Sequence, residues 1–149
     1  MAGLRLLFPL DGSDPTYQAV EGALRKAASL KDPEATFLVV MSKKLRDMPA
    51  DAREHLEFDD EDELFIRDDE AKAVLQKAEA IAKKVKFPKA SSKTVVGGVY
   101  DAILSEAKKH DVIVMHRMAR DEFREHASGS ILEKICRNAP CDVWLVNTK

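Results

Sequence analysis

The chain has 149 residues, of which 45% are hydrophobic and 34% are charged, and its formal net charge is −2. This length suits one domain, residues 1–149, with its own hydrophobic core, and the composition is that of a soluble globular protein. The charge balance excludes the basic surface typical of nucleic-acid-binding domains, and no apolar run approaches the roughly 20 residues of a membrane span.

The chain predicts a reduced, intracellular environment. Its two cysteines, Cys136 and Cys141, are too few for a disulfide framework. The N-terminus is apolar but lacks the basic region and the cleavage site of a signal peptide. We therefore expect a cytoplasmic protein, in which Cys136 lies on the apolar side of the last helix.

The first half of the chain alternates between strand and helix patterns. Leu4 to Leu10 is apolar at nearly every residue, which predicts a strand buried on both faces. Ser13 or Asp14 then caps a helix, and Ala35 to Met41 is predicted as a second strand. Residues 43–69 are different, because they carry a run of acidic side chains with a few apolar ones. We predict a solvated excursion there.

The second half continues the alternation, with helices that show apolar residues at helical spacing and strands that are short and apolar. Its predicted elements are a helix (Glu70–Lys86), a strand (Thr94–Val96), a helix ending at His110, a strand (Val112–Met115), a charged loop (His116–Ala127), a helix (Ile131–Arg137) and a strand (Val143–Val146).

This order of elements predicts an α/β fold with a five-stranded, mainly parallel, doubly wound sheet and helices on both faces. Ligands of such sheets bind outside the carboxyl ends of the strands, near the switch in strand order. The segments at those ends are residues 11–14, 41–42, 97–98 and 116–130.

Taken together, several of these segments resemble the universal stress protein family. The resemblance covers nearly the whole chain except residues 43–69. It is carried by Pro9-Leu10-Asp11-Gly12-Ser13, Gly97, Asp111-Val112-Ile113-Val114-Met115, Gly129-Ser130 and Ala139-Pro140-Cys141-Asp142-Val143. The resemblance implies an adenine-nucleotide alpha-hydrolase-like fold. It also implies a homodimer that pairs through the last strand, Asp142 to Asn147, whose apolar edge needs a partner or a cover.

One branch of this family binds ATP through a loop that has two glycines before a Gly-Ser or Gly-Thr pair. Counting back from Gly129 and Ser130, Ala119 and His116 stand where those two glycines would be. Glycine serves where the backbone approaches phosphates closely, so both replacements weaken the predicted cradle. The loop also carries three arginines, Arg117, Arg120 and Arg124. Either their positive charge contacts phosphates, or they lie on a solvated loop where acidic neighbours balance their charge.

The resemblance and the positions of the strand ends together predict a set of nucleotide-binding residues. In the family, the position of Asp11 contacts adenosine, whereas from the sequence alone Asp11 also suits the start of a helix. Gly97 either allows a ribose to approach the backbone closely or only forms a turn. Ser130 either holds a phosphate or only lies at the start of a helix. The full set is Asp11, Met41, Gly97, His116, Ala119, Gly129 and Ser130.

Two functional hypotheses follow for this chain. The first is a non-enzymatic stress-response or regulatory homodimer with weak or absent ATP binding and no cofactor. The alternative is an ATP or AMP sensor with a divergent loop. A weak nucleotide hydrolase ranks below both, because no catalytic base can be named. The sequence has no nucleophile elbow and no Walker-type phosphate loop, and we predict no metal site.

Overall fold

A computed structural model of the protein describes residues 3–41, 68–117 and 131–147. Strands and helices alternate through these residues. In chain order the elements are β1 (Arg5–Pro9), α1 (Asp14–Ala27), β2 (Glu34–Met41), α2 (Asp68–Lys84), β3 (Ala90–Val96), α3 (Val99–Ala107), β4 (Val112–Arg117), α4 (Ile131–Asn138) and β5 (Asp142–Asn147).

The five strands form one sheet in the order β3-β2-β1-β4-β5, and every pair of neighbours is parallel. The α/β doubly wound fold predicted from the sequence is therefore confirmed. The chain adds β2 and β3 on one side of β1 and then crosses to the other side for β4 and β5. The switch in strand order thus lies between β1 and β4.

The helices cover both faces of the sheet because the central strands β1, β2 and β4 are apolar on both sides. On one face, the fully buried Leu6 and Phe8 pack in a core with apolar residues of α1 and α2. On the other face, Leu7 and Ile113 pack in a second core with residues of α3 and α4. The sheet is the shared wall of both cores, which holds the carboxyl ends of the strands in fixed positions.

β3 is longer than predicted, since it runs over Ala90–Val96 rather than only Thr94–Val96. Its first residues are polar and nearly all of the strand is exposed, because β3 lies at the edge of the sheet and, among the described strands, pairs only with β2. A search for apolar runs misses such a strand. β4 is also longer, because His116 and Arg117, predicted to begin the loop, pair with Val146 and Asn147 of β5.

Two further predictions need correction at the helices. α2 begins at Asp68, inside the segment predicted as the acidic excursion, whereas residues 42–67 lie outside the described part of the chain. Cys136 is exposed, so its predicted place on the apolar side of α4 is wrong. The short α4 buries only a narrow stripe that includes Leu132 and Ile135. None of the helices within the described residues is long and apolar enough to cross a membrane.

Candidate ligand site at the switch in strand order

Asp11 lies in the turn that leads from β1 into α1. Gly12 has a φ of 79°, a left-handed conformation that favours glycine, and Ser13 is the N-cap residue of α1. The backbone N–H and the Oγ–H of Ser13 both donate to Asp11 Oδ1, over 2.9 and 2.6 Å. Ser13 Oγ in turn accepts from the N–H of Thr16 at 3.3 Å. These bonds orient the carboxylate of Asp11 at the carboxyl edge of the sheet.

His116 meets Asp11 across the switch in strand order. Side chains alternate along β4, so His116 shares the face of Val112 and Val114, which pack in the core that α1 covers. Its ring therefore points toward the start of α1, and Nε2 lies 3.1 Å from Asp11 Oδ2. Both side chains are largely buried, with 15% of His116 and 16% of Asp11 exposed.

The neighbours of Asp11 keep its carboxyl group ionised. Burial alone raises the pKa of Asp11, but hydrogen bonds from His116, Ser13 and Thr16 outweigh that effect and hold the pKa well below its usual range. An ionised carboxylate only accepts hydrogen bonds, so Nε2 of His116 carries the proton that it donates. Asp11 thus fixes the tautomer of the ring.

The other ring nitrogen of His116 has no bond to any described residue. Nδ1 is buried and has no hydrogen-bond partner in the part of the chain that the structure describes. A buried polar atom in this state costs about 1–3 kcal/mol relative to one that is paired. His110 shows the contrast, because its Nδ1 meets the backbone oxygen of Glu106 at 2.9 Å and its Nε2 meets Thr36 Oγ1 at 3.0 Å.

A small cavity of about 20 Å³ adjoins the pair. This volume holds roughly one water molecule, and most of the wall is apolar. The lining residues include Asp11, Thr16, Val40, Val99, Met115 and His116, which come from the ends of three strands and from the starts of two helices. The side chains of the Asp11–His116 pair are part of this wall, so the space beside them is too small for a nucleoside.

Met41 and Gly97 come together at the neighbouring strand ends, as the sequence predicts for residues at one edge of the sheet. The N–H of Gly97 donates to the backbone oxygen of Met41 over 2.9 Å. Gly97 has a φ of 156°, and no described atom lies within 4 Å of where a Cβ would stand. Gly97 therefore lies in the turn from β3 to α3 with a positive φ, and no described residue fills the space beside it.

Other predicted positions cannot be placed with this pair. Ala119, Gly129 and Ser130 lie outside the described residues, as do Arg120 and Arg124. The predicted phosphate cradle and its arginines therefore stay predictions. Within the described residues, no cluster of three or more His, Cys, Asp or Glu side chains is placed to hold a metal ion.

Two residues beside Asp11 were not predicted from the sequence. Thr16 is 2% exposed and lies in the first turn of α1, where it contributes to lowering the pKa of Asp11. Tyr17 is close enough that burial and the charges of Asp11 and Asp14 raise its pKa, and the ammonium of Lys77 lies 4.3 Å from the centre of its ring. Their spacing after Asp11 on a predicted helix was the signal that would have found them.

Comparisons with known proteins agree with this architecture. The structure is similar to that of a universal stress protein in complex with cAMP, at 20% identity and a TM-score of 0.73, over 100% of both chains. It is also similar to a universal stress protein of Lactobacillus plantarum, at 22% identity and a TM-score of 0.69, over 98% of this chain and 99% of that one.

A third similar structure is a universal stress protein family member of Arabidopsis thaliana with AMP bound. It is 15% identical with a TM-score of 0.65, over 98% of this chain and 92% of that one. A search of curated proteins found no significant match. The sequence model of the universal stress protein family matches residues 4–147. The chain therefore belongs to the universal stress protein family.

Proposed function

We propose that this protein is a non-enzymatic, cytoplasmic stress-response or regulatory homodimer that binds ATP weakly or not at all. The observation that supports weak binding is the bond between His116 Nε2 and Asp11 Oδ2, 3.1 Å long, at the switch in strand order. A ligand at this position has to displace the ring before it reaches the carboxylate. The histidine also stands where the ATP-binding branch has a glycine.

The homodimer is supported by the exposed edge of β5. Leu145 is 47% exposed, and Trp144 and Val146 are only half-buried against the core. Residues of β5 and of α1, among them Lys26 and Ala23, line an open groove of about 540 Å³. An unpaired edge with apolar side chains favours pairing with a second copy, and a two-fold contact lets the same edge serve both subunits.

A nucleotide sensor is the second candidate function. It is favoured by the relatives whose structures contain cAMP or AMP, and by the positions of Asp11, Met41 and Gly97 at the carboxyl edge. In this case the nucleotide displaces His116 from Asp11, and residues 116–130 hold its phosphates. Replacing Gly129 by valine should then abolish binding, whereas an unchanged affinity would place the nucleotide elsewhere.

Calorimetry with ATP and with AMP, each with and without Mg²⁺, separates the two functions. The first predicts no heat of binding at micromolar protein, or a dissociation constant weaker than about 10 μM (about −7 kcal/mol). Tighter binding of either nucleotide contradicts the first function and supports the sensor. Measurement of phosphate release from the same ATP samples tests the absence of hydrolysis.

A further inference from the structure

The contact between Asp11 and His116 has the geometry of a contact between a protein and a bound ligand, although both groups belong to one chain. The imidazole is a planar nitrogen heterocycle that directs one N–H to a fixed carboxylate, with 3.1 Å between Nε2 and Oδ2. It does so at the switch in strand order, where doubly wound sheets bind their ligands. We propose that His116 is an internal ligand, which occupies a binding position for planar nitrogen heterocycles whose acceptor is Asp11.

The unequal bonding of the ring supports this role. His110, a histidine with a structural role, is anchored at both nitrogens by hydrogen bonds of 2.9 and 3.0 Å. Among the described residues, His116 is anchored through Nε2 alone, because its buried Nδ1 has no partner there. The bond to Asp11 is therefore the polar contact that holds the ring, and the same contact is open to a free heterocycle.

The acceptor is preorganised without help from His116. Ser13 donates two hydrogen bonds to Oδ1, so the carboxylate keeps its orientation when the ring is absent. The adjoining cavity wall is mostly apolar, with Val40, Val99 and Met115 among its residues, which suits the faces of an aromatic ring. The space that the ring of His116 fills, together with this fixed acceptor, fits a small planar heterocycle that has one N–H donor.

This inference rests on the proposed function, because an internal ligand explains weak binding of external ones. A ligand competes with the closed contact, so its apparent affinity equals its intrinsic affinity multiplied by the fraction of molecules in which the site is open. A hydrogen bond to an ionised group holds the closed form with a preference of roughly 10- to 100-fold. Removing the ring should increase affinity for a fitting heterocycle by the same factor.

Chemical rescue of His116→Gly by free imidazole tests the proposal. The melting temperature is measured against imidazole concentration in mildly alkaline buffer, in which the free ring is mostly neutral. We expect a saturable rise for His116→Gly and none for the wild type. Thiazole, a five-membered ring of similar size without an N–H, should give little rise. The double variant Asp11→Ala/His116→Gly, which has no side-chain acceptor at this position, should lose most of the response.

Several results would overturn the proposal. One is a folded His116→Gly protein whose melting temperature responds to imidazole no more than that of the wild type. Another is a rise of His116→Gly with thiazole that equals the rise with imidazole. The third is a double variant that responds to imidazole as strongly as His116→Gly does. Should His116→Gly not fold, His116→Ala takes its place in the same titrations. Nitrogen spectra of the wild-type histidines give an independent test, because the proposal requires a proton on Nε2, and a ring that carries its proton on Nδ1 alone refutes it. Nucleotide calorimetry on the wild type tests the proposed function separately.

Discussion

Replacing Leu145 by aspartate is expected to convert the proposed homodimer into monomers. Leu145 is 47% exposed on the edge strand β5, so the carboxylate remains in water in the monomer and disturbs little of its core. In a dimer paired through β5, the same carboxylate would be taken out of water without a partner. An unpaired buried charge costs about 3 kcal/mol or more, and a two-fold dimer would bury one from each subunit, which weakens the dimer by roughly 10⁴-fold. Light scattering at micromolar concentration measures the resulting mass.

Val96→Asp provides the matched control for this experiment. Val96 is 37% exposed and ends β3, the strand at the opposite edge of the sheet from β5. The control should stay dimeric, and both variants should melt within a few degrees of the wild type. The chain has a single tryptophan, Trp144, on the proposed interface, so its fluorescence should shift when the wild type is diluted. A wild type that is monomeric throughout, or a Leu145→Asp protein that remains dimeric, contradicts pairing through this strand.

The sequence predicted the fold well wherever apolar periodicity reports burial. β1, β2 and β4 are buried on both faces, so their apolar runs identify them from the sequence alone. β3 was only partly predicted because an edge strand needs few apolar residues, and its polar start, Ser91 to Thr94, has no distinctive pattern. The burial of Cys136 was predicted wrongly because the eight-residue helix α4 buries only a narrow stripe. Adjacent positions such as Ile135 and Cys136 therefore differ between core and solvent.

The candidate site was predictable only in its parts. Asp11 and His116 were both chosen, one as a residue after a strand and the other as a replacement for a glycine. Their contact was not predicted, since they are 105 residues apart in sequence. It depends on two facts that the sequence does not display: β1 and β4 are neighbours, and β4 continues past Met115 so that His116 takes the face of Val114.

The last expected result concerns the stability that Asp11 provides. Asp11→Ala leaves the Nε2–H of His116 and both donors of Ser13 without their acceptor in a largely buried place. We expect a loss of about 2–3 kcal/mol in the free energy of unfolding near neutral pH. Asp11→Asn should lose less, about 1–2 kcal/mol, because its amide still accepts from Ser13 and the ring of His116 can change tautomer. Urea unfolding followed by Trp144 fluorescence measures both.

The pH dependence separates this ionic role from simple packing. The pKa of Asp11 is lower in the folded protein than its ordinary value of 3.8, so its ionised form stabilises the fold above that value. This stabilisation is lost as the pH falls below the ordinary value toward the folded one, because the unfolded chain then binds the proton more readily. The gap in stability between the wild type and Asp11→Asn should therefore narrow from neutral pH to about pH 3. Asp101→Asn, which removes an exposed carboxylate from the first turn of α3, should stay within about 0.5 kcal/mol of the wild type. A gap for Asp11→Asn that does not change with pH would mean that the carboxylate is not held ionised by His116 and Ser13.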